Sequence, residues 1–181
     1  MTEEVKALEE SLKIISTLTA NQPNEYLPII ATAIGAVVGA VASFASMYCL
    51  DRRKDKLKTE SLHASLKSEI SAHLKVFKYR KYEKTIEKYI ESLKNRPAGS
   101  KEIFFVQVPD HYSRVYQANC SAIGLIQKEA AEDIVMYHQL IDSVIQDVKP
   151  GGLIAQGGTL EQFVQLEKIL SKALKLAQRI T

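Results

Sequence analysis

The sequence predicts an all-α protein: one N-terminal transmembrane helix followed by a cytoplasmic helical bundle of about four helices. Three observations lead there. Residues 27–50 carry no charge. The chain after them repeats apolar residues at helical rather than alternating spacing. Charge is split across the apolar run, with a net −3 before it and 22 basic against 16 acidic side chains after it. With 181 residues the chain has room for one domain and an appendage. The boundaries follow as 1–26, a short extracytoplasmic amphipathic segment; 27–50, the membrane helix; and 51–181, the cytoplasmic domain.

In the first segment, "EEVKALEESLKIISTL" places Val5, Leu8, Leu12 and Ile15 at spacings of three, four and three. That is an amphipathic helix of about two heptads, too short to be stable alone. "NQPNEYLP" should break it. A cleaved signal peptide would open with a short basic region, whereas these 26 residues carry five acidic and two basic side chains.

From Leu27 to Leu50 there are 24 uncharged residues. At about 1.5 Å per residue they match the roughly 30 Å hydrocarbon layer. Nine of them are Leu, Ile, Val or Phe, together contributing roughly −4 kcal/mol to insertion, part of which Gly, Ser and Pro take back. Arg52, Arg53, Lys54, Lys56 and Lys58 follow at once, while no Lys or Arg lies between Lys13 and the helix. The positive-inside rule therefore puts the N-terminus outside and the C-terminal domain in the cytoplasm, in an inner or plasma membrane crossed once. Tyr26 and Tyr48 stand near the two ends, where amphipathic rings favour the headgroup zone.

Small residues dominate this helix: eleven of the sixteen from Ala31 to Ser46 are Gly, Ala, Ser or Thr. Ala31, Gly35, Gly39 and Ser43 recur every fourth residue and include a GxxxG pair. Lipid supplies no hydrophobic force between helices, so association depends on close backbone approach, which such a stripe permits. The expected partners are membrane lipid and further copies of the chain.

After Leu50 no Pro or Gly interrupts the pattern before "NRPAGS". Leu57, Leu62, Leu66, Ile70, Leu74, Phe77, Ile86, Tyr89 and Leu93 recur at mostly helical intervals, so the membrane helix is expected to continue, at least in part, as a stalk into the cytoplasm. "KEIFFVQVP" is a short extended run with no sheet to join, expected to lie as a plug over the helices or at a contact between subunits. "DHYSRVYQANCSAIG" reads as a helix facing inward through Tyr112, Val115, Tyr116, Cys120 and Ile123, with Gly124 as a left-handed stop. "QKEAAEDIVMYHQLIDSVIQDVK" carries the stripe Ile134, Tyr137, Ile141, Val144 and Val148. After the loop "PGGLIAQGG", Thr159 and Gln162 form a capping-box pattern for a last helix that buries Phe163, Leu166, Leu170, Ala173, Ala177 and Ile180.

Chemistry is sparse. His63, His73, His111 and His138 fall in no H-E-x-x-H or E-x-x-H arrangement, and C-x-x-C is absent, so no metal site or cofactor is expected. Nucleophile-elbow, P-loop and helical-RNase Arg-x(4–6)-His patterns are absent too, and no catalytic residue is expected. Cys49 and Cys120 read as reduced thiols. The loop "KPGGLIAQGGT", with Lys149, could offer amides to a phosphate but reads first as a connection, and His111 and Arg114 read as a solvated helix start. The basic run Lys75, Lys78, Arg80, Lys81, Lys84 and Lys88, interleaved with Phe77, Tyr79 and Tyr82, is open to three readings: an RNA surface, a lipid-headgroup surface, or a solvated helix whose rings turn inward.

One N-terminal membrane helix ahead of a helical cytoplasmic domain of this size resembles the small single-pass bacterial membrane proteins of antiviral defence loci, the membrane accessory protein of type VI-B CRISPR systems among them. The resemblance is one of layout. It implies a homo-oligomeric pore or membrane-perturbing effector triggered from the cytoplasm. The alternative is a membrane-tethered binding or scaffold module for a cytoplasmic protein or RNA partner.

Overall fold

The computed structural model describes residues 9–14, 16–17 and 27–181. Val5, Leu8, Ile15, Tyr26 and most of "NQPNEYLP" lie outside them; residues 9–14 and 16–17 are helical. The fold is all-helical with no named strand among the described residues: α1 (Leu27–Arg80), α2 (Tyr82–Lys94), α3 (Arg114–Asn119), a 3-10 turn (Cys120–Leu125), α4 (Lys128–Val148) and α5 (Leu160–Ile180). Two compact units divide at Asp55/Lys56.

The first unit holds the apolar part of α1, the one helix among the described residues long and apolar enough to cross a membrane. Its most apolar 18 residues reach a mean hydropathy of 2.0, and none of them is buried. Phe44 is 76% exposed and Val37 64%. Ser43 and Ser46 turn their hydroxyls back onto the carbonyls of Gly39 and Ala42, both at 2.8 Å. Both hydroxyls are thereby satisfied within the helix. At its far end the Arg52 guanidinium lies 4.9 Å from the centre of the Tyr48 ring.

In the second unit the helical stripe divides at one residue. Lys81 is left-handed (φ 54°, ψ 37°), the only non-glycine with positive φ among the described residues, and the helix breaks there without Gly or Pro. An unbroken helix would carry Leu93 about 40 Å from Leu66. Instead both belong to one buried cluster with Ile70, Ile86 and Ile90. Joining these apolar groups outweighs the roughly 1–2 kcal/mol of left-handed strain at Lys81. The helix that begins at Leu27 does run on past Leu50, as far as Arg80, and the helical spacing that continues to Leu93 passes to α2 at this break. Leu57, counted with the stripe, is exposed.

The other elements close the core. α4 buries Ile134, Tyr137, Ile141, Val144 and Val148 as expected, and α5 buries Phe163, Leu166, Leu170, Ala173 and Ala177. The Thr159/Gln162 capping box is formed. The fourth long helix is α2, released by the Lys81 turn. The 112–124 stretch yields only the six-residue α3 and the 3-10 turn. Gly124 lies inside that turn without positive φ, so the expected left-handed stop is not formed, and Cys120 is exposed.

Residues 102–108 alternate between half-buried and exposed. The amides of Glu102, Phe104 and Val106 donate to the carbonyls of Gly158, Ile154 and Val148. Phe104 and Val106 pack onto the core, so the extended run does cover the helices. Its tie to Val148, with Ile154 and Ala155 donating to the Asp147 carbonyl, satisfies carbonyls that the end of α4 would leave unpaired.

Candidate functional site

Two features of the second unit hold chemistry that the fold alone does not need: a buried polar cluster and, next to it, an apolar cavity. Both begin on α1, where Glu69 and His73, one turn apart, interrupt the apolar stripe.

The Glu69 carboxylate accepts from the amides of Val115 (2.8 Å) and Tyr116 (3.0 Å). These are the N2 and N3 positions of α3, whose own N-cap, Ser113, makes no capping bond. A carboxylate from another helix therefore closes the donors that a helix start leaves open. His73 Nε2 lies 2.7 Å from the Tyr112 carbonyl and Nδ1 3.2 Å from the Tyr137 hydroxyl. A carbonyl can only accept, so Nε2 carries the proton and the Tyr137 hydroxyl donates to Nδ1. Burial pushes the His73 pKa down, with the Glu69 charge acting in the other direction. It pushes Tyr137 up, reinforced by Glu69.

His138 stands at the centre. It is 0% exposed, and neither ring nitrogen has a hydrogen-bond partner. Its ring stacks on Tyr116 at 3.8 Å between centroids and 14° between planes, with Tyr137 and His73 edge-on. Nε2 is 3.9 Å from a Glu69 oxygen, beyond hydrogen-bond reach. Burial, and then His73, push its pKa down to about 3. The imidazole is neutral at physiological pH.

On the other side of His73 lies a cavity of about 280 Å³. Val76 and Phe77 of α1 form one wall; Val144, Ile145 and Val148 of α4 form another. Phe104 and Val106 roof it, and Leu170 contributes from α5. Arg80 lies on its boundary and on that of a second, outer pocket with Gln107 and Asp110.

No family model, curated protein or solved structure matches this chain. The site is therefore read from its own geometry.

The residues singled out in the sequence fall in three places. Ala31, Gly35, Gly39 and Ser43 are all exposed, and a Cβ added at either glycine would meet nothing within 4 Å. Lys75, Lys78, Arg80, Lys81, Lys84 and Lys88 are exposed across the α1–α2 turn. Of their interleaved rings only Tyr79 faces out, at 88% exposure. Phe77 and Tyr82 turn inward with centroids 6.0 Å apart. His111 and Arg114 are exposed. In the 149–159 loop the capping box already occupies the start of α5, which leaves fewer amides for an anion. Among the described residues no group of three or more His, Cys, Asp or Glu side chains could hold a metal.

Sequence reading weighed His73 and His138 only as metal ligands and did not single out Glu69 or a buried cluster of the three. The signal was present: His138 follows Tyr137 within the buried stripe of α4, and Glu69 and His73 fall among Leu66, Ile70 and Leu74. The cavity had none, because it depends on the Lys81 turn and on where the extended run settles.

Proposed function

We propose that the chain is a single-pass membrane protein that assembles with copies of itself through Ala31, Gly35, Gly39 and Ser43, with its helical domain in the cytoplasm. The observation that carries this reading is the bare apolar surface of α1. Val37, Val38, Val41, Phe44, Met47 and Leu50 are each at least half exposed, and water would not tolerate so large an apolar surface uncovered. Lipid covers the bulky side chains; the small-residue ridge lets a second helix approach closely. The basic residues after Leu50 and the Tyr48–Arg52 pair support the inward orientation. A ring of such helices enclosing a conducting pore is the finer form of the reading, with a trigger acting on the cytoplasmic domain. The reading assigns the chain no catalysis.

Cysteine crosslinking in membranes tests the interface. With Cys49 and Cys120 replaced by serine, Ser43→Cys should form a disulfide between copies on mild oxidation, whereas Val41→Cys, on the opposite side of the helix, should not. Equal crosslinking at the two positions would remove the ridge. In planar bilayers a ring predicts discrete conductance steps. A silent bilayer would leave an assembled anchor and remove the pore.

A second reading, a membrane-tethered module holding RNA or a protein partner, draws on one observation: six basic side chains flank the outward ring of Tyr79. RNA binding lost on raising salt, and weakened by Tyr79→Ala, would support it.

A further inference from the structure

We propose that the cavity between α1, α4 and the extended run binds a single-chain anionic amphiphile, its apolar chain inside and its carboxylate or phosphate on Arg80. Size sets the first limit. An apolar cavity of about 150 Å³ holds a six-carbon ring. By proportion, 280 Å³ takes roughly ten carbons, one short chain rather than the two of a bilayer phospholipid. Left empty, such a space deprives its lining of contacts on one side, so a chain that fills it restores packing to Val144, Val148 and Phe104.

Polarity sets the second limit. Both His73 nitrogens are already engaged, by Tyr112 and Tyr137, so His73 offers the ligand ring surface rather than a hydrogen bond. The Tyr82 hydroxyl, also on the cavity wall, accepts from Arg80 Nη1 at 3.2 Å. That bond holds the guanidinium at the rim with donors to spare. Arg80 is the only charged residue lining the cavity. No carboxylate pairs with it among the described residues, and Asp110, which shares the outer pocket with it, forms no ion pair with it. Lys78 and Lys81 add positive charge on either side in sequence. An apolar interior with one unpaired cation at its edge complements a chain ending in an anion. A neutral alcohol would forgo the charge-assisted bond, and a cationic amphiphile would meet repulsion.

A photoreactive decanoate, with a diazirine in its chain, tests this on the full chain held in an amphipathic polymer. Mass spectrometry should find the label on peptides carrying Phe104–Val108 and Val144–Val148. Excess decanoate should compete it away, and decyltrimethylammonium should not. A parallel arm with short-chain lysophosphatidate separates the sources: competition by the phosphate identifies a lipid-derived ligand, and competition by decanoate alone identifies a free acid. Arg80→Ala, at an exposed position, should reduce labelling about tenfold below saturation, and Val144→Phe should block the cavity and abolish it. If Val144→Phe fails to fold, Arg80→Ala decides. Label scattered along residues 27–50, equal competition by the cation, or labelling unchanged by Arg80→Ala would overturn the proposal. Gly35→Leu should leave labelling intact, so this result is independent of assembly in the membrane.

Discussion

Replacing His138 by leucine should make the second unit more stable at pH 7 and less sensitive to acid. The ring is fully buried with both nitrogens unpartnered, and each such group costs about 1–3 kcal/mol of desolvation. Leucine removes both and loses the stack on Tyr116, worth about 0.5–1.5 kcal/mol. The balance is a gain of roughly 0.5–5.5 kcal/mol at pH 7. The pH dependence follows from linkage. The folded pKa, about 3, lies below the ordinary value near 6.5, so the unfolded chain takes up the proton first and stability falls as pH drops from about 6.5 towards 3. Between pH 7 and pH 5 that loss is about 2 kcal/mol, and it is absent without the imidazole. His73, also pushed down by burial, acts in the same direction. Asp142 and Asp147, pushed up by burial, act in the opposite one. The two aspartates are common to both proteins and drop out of the comparison, and His73, coupled to His138, is left as the remaining acid-sensitive imidazole of the variant's core. Urea unfolding of the full chain in detergent, followed by near-ultraviolet tyrosine dichroism, reads the difference, since no tryptophan is present. The reasoning fails if His138→Leu is several kcal/mol less stable at pH 7, or if both proteins lose stability equally on acidification.

Glu69→Gln should cost about 1.5–3 kcal/mol by weakening the charge-assisted bonds to Val115 and Tyr116. Hydrogen exchange at those two amides should accelerate before that of α4; unchanged protection would show that α3 needs no remote cap. Gly152→Ala should destabilise by about 1–3 kcal/mol or more, because a Cβ there would run into the backbone of Gln146 and Asp147 at the end of α4. An unaltered melting profile would show that the 149–158 turn is not held against that helix end.

Much of this fold is legible in the sequence where one local rule suffices. The uncharged run, the buried stripes of α4 and α5, and the Thr159/Gln162 box each depend on spacing within one segment. The exceptions depend on tertiary competition. Nothing at Lys81 signals a break, because what ends the helix there is the gain from bringing Ile86, Ile90 and Leu93 into the same buried core as Leu66 and Ile70. The short α3 depends on a carboxylate 46 residues away in sequence from Val115. The candidate site is harder to read for the same reason: the cavity is the space left between three separately predictable segments. His138 and Glu69 could have been noticed as polar residues within apolar stripes, though not that they would fall 3.9 Å apart and unbonded.

The central claim is that a small-residue helix crosses the lipid and packs against identical helices. The mass of the detergent-solubilised particle tests it most directly, measured for the native chain and for Gly35→Leu combined with Gly39→Leu. The account predicts a particle of several copies of the 20.2 kDa chain that falls apart when the two glycines are enlarged. A native monomer, or an assembly indifferent to both leucines, would contradict it.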